Sequence, residues 1–185
     1  MARTKSLMRD LGTTAPEFTL PDVITGKSVS LADTRGPKGL LVMFLCAHCP
    51  FVKHLEQAIA DFASEYSGKG IGIVAISSND AVAYPDDAPN ELAGQARRLN
   101  FTFPYLYDES QQTARDHHAA CTPDFFLYDA NLSLIYRGQF DGSRPGNGIP
   151  PTGKDLRAAF DAVLAGQPVN PDQIPSLGCN IKWKA

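Results

Sequence analysis

Apolar and polar positions follow one another along this chain in more than one rhythm, and the changes of rhythm predict its elements. Residues 40–45 are apolar without interruption, the length and flanks of a strand buried on both faces. After Pro50, the residues Phe51, Leu55, Ile59, Phe62 and Tyr66 recur at steps of four or three, one apolar stripe along a helix. Proline suits the first helical position, where no donor is missed, and Ser67-Gly-Lys-Gly70 stops the helix. Residues 71–76 read as a second buried strand, rich in β-branched side chains. Before them, 18–20 and 27–30 read as a short hairpin.

Beyond residue 78 the pattern weakens. Residues 79–89, with two prolines and three aspartates, predict a loop. A short helix over 91–99, a strand within 101–107 around Pro104, and a helix over 108–118 capped by Asp108 or Ser110 follow. Residues 124–128 and 132–137 predict an antiparallel pair across Asp129-Ala-Asn131; 138–153 is loop; 155–164 is a final helix with Leu156, Phe160, Val163 and Leu164 inward. Buried strands alternating with helices, and ending in a hairpin and a helix, give an α/β sandwich with a mixed sheet. The chain reads as one domain over 15–166, with a loosely held stretch 1–14 and a tail 167–185 packing on the domain.

Composition narrows the function without naming it. Hydrophobic content of 43% and charged content of 20% are those of an ordinary globular protein, and a net charge of −3 gives no reason to expect nucleic acid or an anionic membrane as partner. No apolar run approaches a span, and the first ten residues lack the apolar core of a signal peptide, so the expected compartment is the cytoplasm. Four cysteines in such a chain are not a disulfide scaffold; in a reducing compartment they point to catalysis, metal or burial.

The candidate chemistry sits where the first buried strand hands over to the first long helix. Cys46-Ala-His-Cys49 places two thiols beneath the exposed N–H groups of a helix N-terminus, whose partial positive charge favours a thiolate. Thiols so spaced close a small ring, so a mixed disulfide formed by one is resolved by the other. His48, inside the motif, stabilises the thiolate form and makes the disulfide a better oxidant.

Strand, Cys-x-x-Cys, helix, and a later Thr122-Pro123 before a hairpin resemble the thioredoxin fold. Ala15-Pro-Glu-Phe18, Tyr107-Asp-Glu-Ser110, residues 122–129 and Gly178-Cys-Asn-Ile-Lys-Trp183 together resemble the peroxiredoxin-like (AhpC/TSA-type) proteins that carry a Cys-x-x-Cys, from about Gly12 onward. The resemblance implies a thioredoxin-like α/β fold with an N-terminal β-hairpin and an extra helix–strand insertion. It also implies Cys46 as the exposed attacking thiol, Cys49 as the more buried resolving one, and a cis Pro123 whose loop packs on the motif, with Thr122 ordering an extended substrate. The motif is similar to that of disulfide isomerases, at about −180 mV against about −270 mV for thioredoxin, a gap of about 4 kcal/mol. The activity implied is thiol–disulfide exchange on protein or small-molecule disulfides in cell redox homeostasis, with no organic cofactor. The oligomeric state is not legible.

Two alternatives stand beside it. Cys49-Pro50 resembles the peroxidatic Cys-Pro of peroxiredoxins, yet Pro123 falls where that family places an arginine, and Arg137 substitutes only if the fold brings it in. Losing such a donor is worth about 3–4 kcal/mol. Cys46, His48, Cys49 and Cys121 also offer soft ligands for Cu(I) or Zn(II), with His54, His117 and His118 as extras from the surface, though three ligands within four consecutive residues cannot easily surround a tetrahedral ion. Cys121 and Cys179 are candidate additional redox thiols, or packing.

Overall fold

In the computed structural model, which describes residues 3–185, the elements in chain order are β1 (Arg3–Lys5), β2 (Thr19–Pro21), β3 (Ser28–Ser30), α1 (Leu31–Thr34), β4 (Gly39–Phe44) and α2 (Pro50–Tyr66). There follow β5 (Ile71–Ser77), a single 3-10 turn (Pro85–Asp87), α3 (Pro89–Arg98), β6 (Tyr105–Tyr107), α4 (Gln112–His117) and β7 (Cys121–Thr122). The last elements are β8 (Asp124–Asp129), β9 (Leu134–Gly138), α5 (Lys154–Leu164) and β10 (Leu177–Asn180).

The central sheet is mixed. Strand β4 pairs antiparallel with β8 from Gly39↔Asp129 to Phe44↔Asp124, β8 pairs antiparallel with β9, and β5 pairs parallel with β6. The two groups meet along β4 and β5, where the Leu45 N–H donates to the Ile76 carbonyl. Every residue of β4 is buried, as its unbroken apolar run requires of a strand covered on both faces. One face lies under α2, α3 and α5 through Leu41, Met43, Leu55, Ile59, Phe62, Leu92 and Phe160; the other lies under the hairpin and α4 through Leu40, Val42, Phe44, Ala114, Phe126 and Tyr128.

The two long helices keep their predicted stripes with small rotations. Val52 is buried in α2 while Phe51 is only half-buried, and in α5 Ala159 joins Leu156 and Phe160 inside while Val163 and Leu164 sit at the margin. The hairpin β2–β3 forms where expected, with Thr19↔Ser30 and Pro21↔Ser28 opposite one another. Helix α4 is shorter than its pattern, starting after Asp108 and Ser110. Asp108, a candidate cap from the sequence, lies before the N-cap residue Gln111, is buried, and accepts from Ser78 Oγ and the Ala114 N–H.

A smaller sheet was not foreseen. Strand β10 lies between β1 and β7, with Arg3↔Cys179 on one side and Cys179↔Thr122 and Asn180↔Cys121 on the other. The stretch 1–14, expected to be loosely held, thus contributes β1 to this sheet; Met1 and Ala2 lie outside the described residues. Gly178 is what lets β10 come so close. A Cβ there would fall 2.0 Å from the Thr122 carbonyl oxygen.

Candidate redox site

Strand β4 runs out at Phe44 and α2 begins at Pro50, so residues 45–49 form the turn over the sheet's end. Cys49 is the N-cap residue of α2 and Pro50 its first helical residue. Across the turn the Thr122–Pro123 peptide is cis, the geometry that the sequence resemblance implied.

Thr122 touches both sulfurs of the motif. Its Oγ1 lies 3.2 Å from Cys46 Sγ, and its carbonyl oxygen 3.3 Å from Cys49 Sγ. Because β10 pairs with β7 in the register Cys179↔Thr122, a third sulfur arrives at the same place. Cys179 Sγ is 2.6 Å from Cys49 Sγ. All four cysteines are thiols here, and all four are buried. The fourth, Cys121, turns its sulfur toward the Pro123 carbonyl oxygen at 3.7 Å.

The expected division of the motif into an exposed and a buried thiol is not what the structure shows, since Cys46 and Cys49 are equally inaccessible. Charge separates them instead. Burial, with the neighbouring Cys49 and Asp87, pushes the Cys46 thiol well above its usual range. Cys49 is drawn down to about 5, chiefly by a hydrogen bond from Cys46, against the penalty of burial and with help from Cys179 and the Val52 N–H. The thiolate therefore rests on Cys49, at the helix terminus whose dipole favours it. Cys179 is pushed up to about 12 by burial and by the adjacent Cys49.

His48 is held by a residue that the sequence reading passed over as loop. Asp87, fully buried in the 3-10 turn, accepts through Oδ1 from the Ala47 N–H (2.8 Å) and the His48 N–H (3.0 Å). Its Oδ2 lies 2.5 Å from His48 Nδ1 and accepts from Asn79 Nδ2 at 2.7 Å. Asn79 Oδ1 in turn accepts from the Lys182 N–H at 2.8 Å, which ties the loop to the segment after β10. The His48 ring stacks on Tyr84 with 5.7 Å between centroids. Asp87 raises the His48 pKa above 6.5 through their hydrogen bond, against burial. Burial alone would raise the Asp87 carboxyl, but hydrogen bonds from His48 and Asn79 outweigh it and leave it below its usual value. No local pattern marks Asp87 among the aspartates of its loop; only the fold brings it beneath the motif.

The metal set is rearranged too. Cys46, His48 and Asp87 present a sulfur, a ring nitrogen and a carboxylate oxygen within 4.8 Å of one another. Both Asp87 oxygens are already engaged by N–H groups of the motif and of Asn79, so the trio is built as a latch rather than as an open ligand set. His117 is no surface extra. It is buried against Phe44, Phe126 and Tyr128, and burial takes its pKa down to about 4. Arg137, the arginine that the sequence offers as a substitute at the site, donates instead to the Arg9 carbonyl oxygen at 2.6 Å and to Gln173 Oε1 at 2.8 Å.

Residues 11–137 match the model of the AhpC/TSA family, well over half of the chain. The chain belongs to the AhpC/TSA family. This AhpC/TSA protein is similar over its whole length to an uncharacterized conserved protein from Geobacillus kaustophilus, with 50% identity, a TM-score of 0.97 and 97% of that chain covered. It is equally similar to a hypothetical protein from Sinorhizobium meliloti 1021, with 49% identity, a TM-score of 0.96, and 98% of this chain and 99% of that one covered. The thioredoxin domain of a thiol-disulfide oxidoreductase from Bacteroides vulgatus shares the fold at 21% identity and a TM-score of 0.57, over 69% of this chain and 87% of that domain. No curated protein matches the sequence significantly. Strands β7, β8 and most of β9 fall inside the family match; β10, with Cys179, lies beyond it. Among the described residues, no helix of this AhpC/TSA protein is long and apolar enough to cross a membrane.

Proposed function

We propose that the protein is a thiol–disulfide oxidoreductase whose Cys46–Cys49 dithiol reduces or isomerises disulfides. The observation that carries this reading is the contact of Thr122, which precedes the cis proline, with both sulfurs of the motif at the N-terminus of α2. The Cys49 thiol, drawn down to about 5, supplies the charge. Cys49 thiolate attacks a substrate disulfide, forming a mixed disulfide and releasing one substrate thiolate. The Cys46 thiol then gives up its proton to a leaving thiolate and attacks Cys49, closing Cys46–Cys49 and releasing the second. This exchanges the roles that the thioredoxin resemblance implied, because the thiolate is the form that attacks. The His48–Asp87 pair fixes the turn between the two cysteines. The expected compartment remains the cytoplasm, where such a couple is kept reduced.

The test is disulfide-reductase turnover with alkylation rates measured against pH. Wild type is expected to lose a single reactive thiol with a midpoint near pH 5. Cys49→Ser is expected to abolish both reactivity and turnover, and unchanged turnover in that variant overturns the assignment. A second reading, thiol peroxidase, draws on the same Cys49 thiolate next to Pro50. Rapid oxidation of Cys49 by hydrogen peroxide in Cys46→Ser, with no disulfide-reductase turnover in wild type, favours it.

A further inference from the structure

Cys49 has two sulfur neighbours, and the function above uses one of them. Cys179 reaches Cys49 from β10, a strand that comes late in the chain, and it does so by construction rather than by chance packing. The register Cys179↔Thr122 sets its position, and Gly178 lets the strand approach the Thr122 carbonyl. Asn79 and Gln111 then fasten the chain just beyond it, through the Lys182 N–H and carbonyl. At 2.6 Å the Cys49 and Cys179 sulfurs need close by only about half an ångström to reach the roughly 2.05 Å of a disulfide.

Resting on the reading of Cys49 as the attacking thiol, we propose that Cys179 is a second resolving thiol, which closes a Cys49–Cys179 disulfide and leaves Cys46 reduced. Once Cys49 Sγ is bonded to a substrate sulfur it carries no charge. One of the influences that hold the proton on Cys179 is then gone, while the Lys182 ammonium continues to favour its thiolate. The Cys179 sulfur attacks Cys49 Sγ, the Cys49–substrate bond breaks, and the substrate leaves as a thiolate that takes up the proton. The two electrons that reduce the substrate disulfide come from Cys49 and Cys179, with no other reductant. A molecule oxidised in this way keeps the Cys46 thiol.

Oxidised glutathione tests this directly. Reduced wild type, Cys46→Ser, Cys46→Ser/Cys179→Ser and Cys49→Ser are each exposed to it, quenched by alkylation and mapped by peptide mass spectrometry. Cys46→Ser is expected to release about two glutathione equivalents and to yield a cross-linked Cys49–Cys179 peptide. The double variant is expected to release about one and to stay glutathionylated at Cys49. Wild type is expected to contain both Cys46–Cys49 and Cys49–Cys179 peptides. If Cys46→Ser stalls with glutathione on Cys49 as the double variant does, and wild type holds no Cys49–Cys179 peptide, the second resolving thiol is overturned while the Cys46–Cys49 reading stands. If instead Cys49→Ser exchanges as fast as wild type, the reading of Cys49 as nucleophile falls, and this proposal falls with it.

Discussion

A single carboxylate, Asp87, holds the turn that presents the reactive sulfurs, and it does so with four hydrogen bonds, three to Ala47 and His48 of the turn and one to Asn79. Its pair with His48 is charged only within a window of pH. The imidazolium contribution is complete below the ordinary histidine value of 6.5 and is lost as pH rises through the raised pKa of His48. The carboxylate contribution is complete above the ordinary value of 3.8 and is lost as pH falls through the lowered pKa of Asp87. The pair stabilises most between these limits. Asp87→Asn keeps an acceptor but loses the charge, so it is expected to cost about 1–3 kcal/mol near pH 5.5 and less at pH 9. Urea denaturation at the two pH values measures the difference, and the ring-proton titration of His48 is expected to move down in the same variant. Nothing in the sequence separates Asp87 from Asp80 or Asp86. Cys46 and Cys49, by contrast, stand out by their spacing, and Pro123 by the resemblance to the thioredoxin fold. That the charge rests on Cys49 rather than Cys46 was not legible, since it depends on the hydrogen bond from Cys46, on Cys179 and on the deeper burial of Cys46, which only the folded chain creates.

At the scale of elements, what the sequence reveals depends on how long each element is. Strand β4, helix α2 and helix α5 repeat their pattern over enough residues to be read directly, and they frame the site. Strands β1, β7 and β10 run for two to four residues each, too short for any period, and their pairing joins segments far apart in the chain. In the sequence they read as a loose end, as the loop at Pro123 and as a tail. Yet β10 carries the third sulfur, and its fit depends on Gly178. Gly178→Ala would set a methyl group 2.0 Å from the Thr122 carbonyl oxygen, which backbone on both sides resists. The expected cost is about 2–4 kcal/mol. Alkylation of Cys179 in the native protein is expected to speed up as the strand lifts away, and a rate equal to wild type would show that the strand tolerates the shift.

At the scale of the whole molecule, the buried acid Asp124 adds a contribution to stability that falls with rising pH, opposite in sign to those of Cys49 and His117. It follows Pro123 at the start of β8, and burial pushes it up to about 7. The unfolded chain loses this proton near 3.8 while the folded chain retains it, so the contribution of Asp124 to stability falls as pH rises between those values and levels off above about 7. Asp124→Asn removes the penalty. It is expected to stabilise the protein at pH 8 by an amount on the order of 3 kcal/mol and to change little at pH 4, as read by thermal melts at both.

The position of β10 between β1 and β7 also bears on how the molecule matures. Until the ribosome has delivered this strand, the nascent polypeptide already owns Cys46, Cys49 and the proline loop but lacks the wall behind Cys49. Such a half-made chain leaves the Cys49 sulfur open to glutathione, and a released chain ending before Leu177 is expected to form Cys49 adduct faster than residues 1–185 do. The pairing of β10 with β1 and β7 is thus the step that shelters the sulfur from unplanned chemistry.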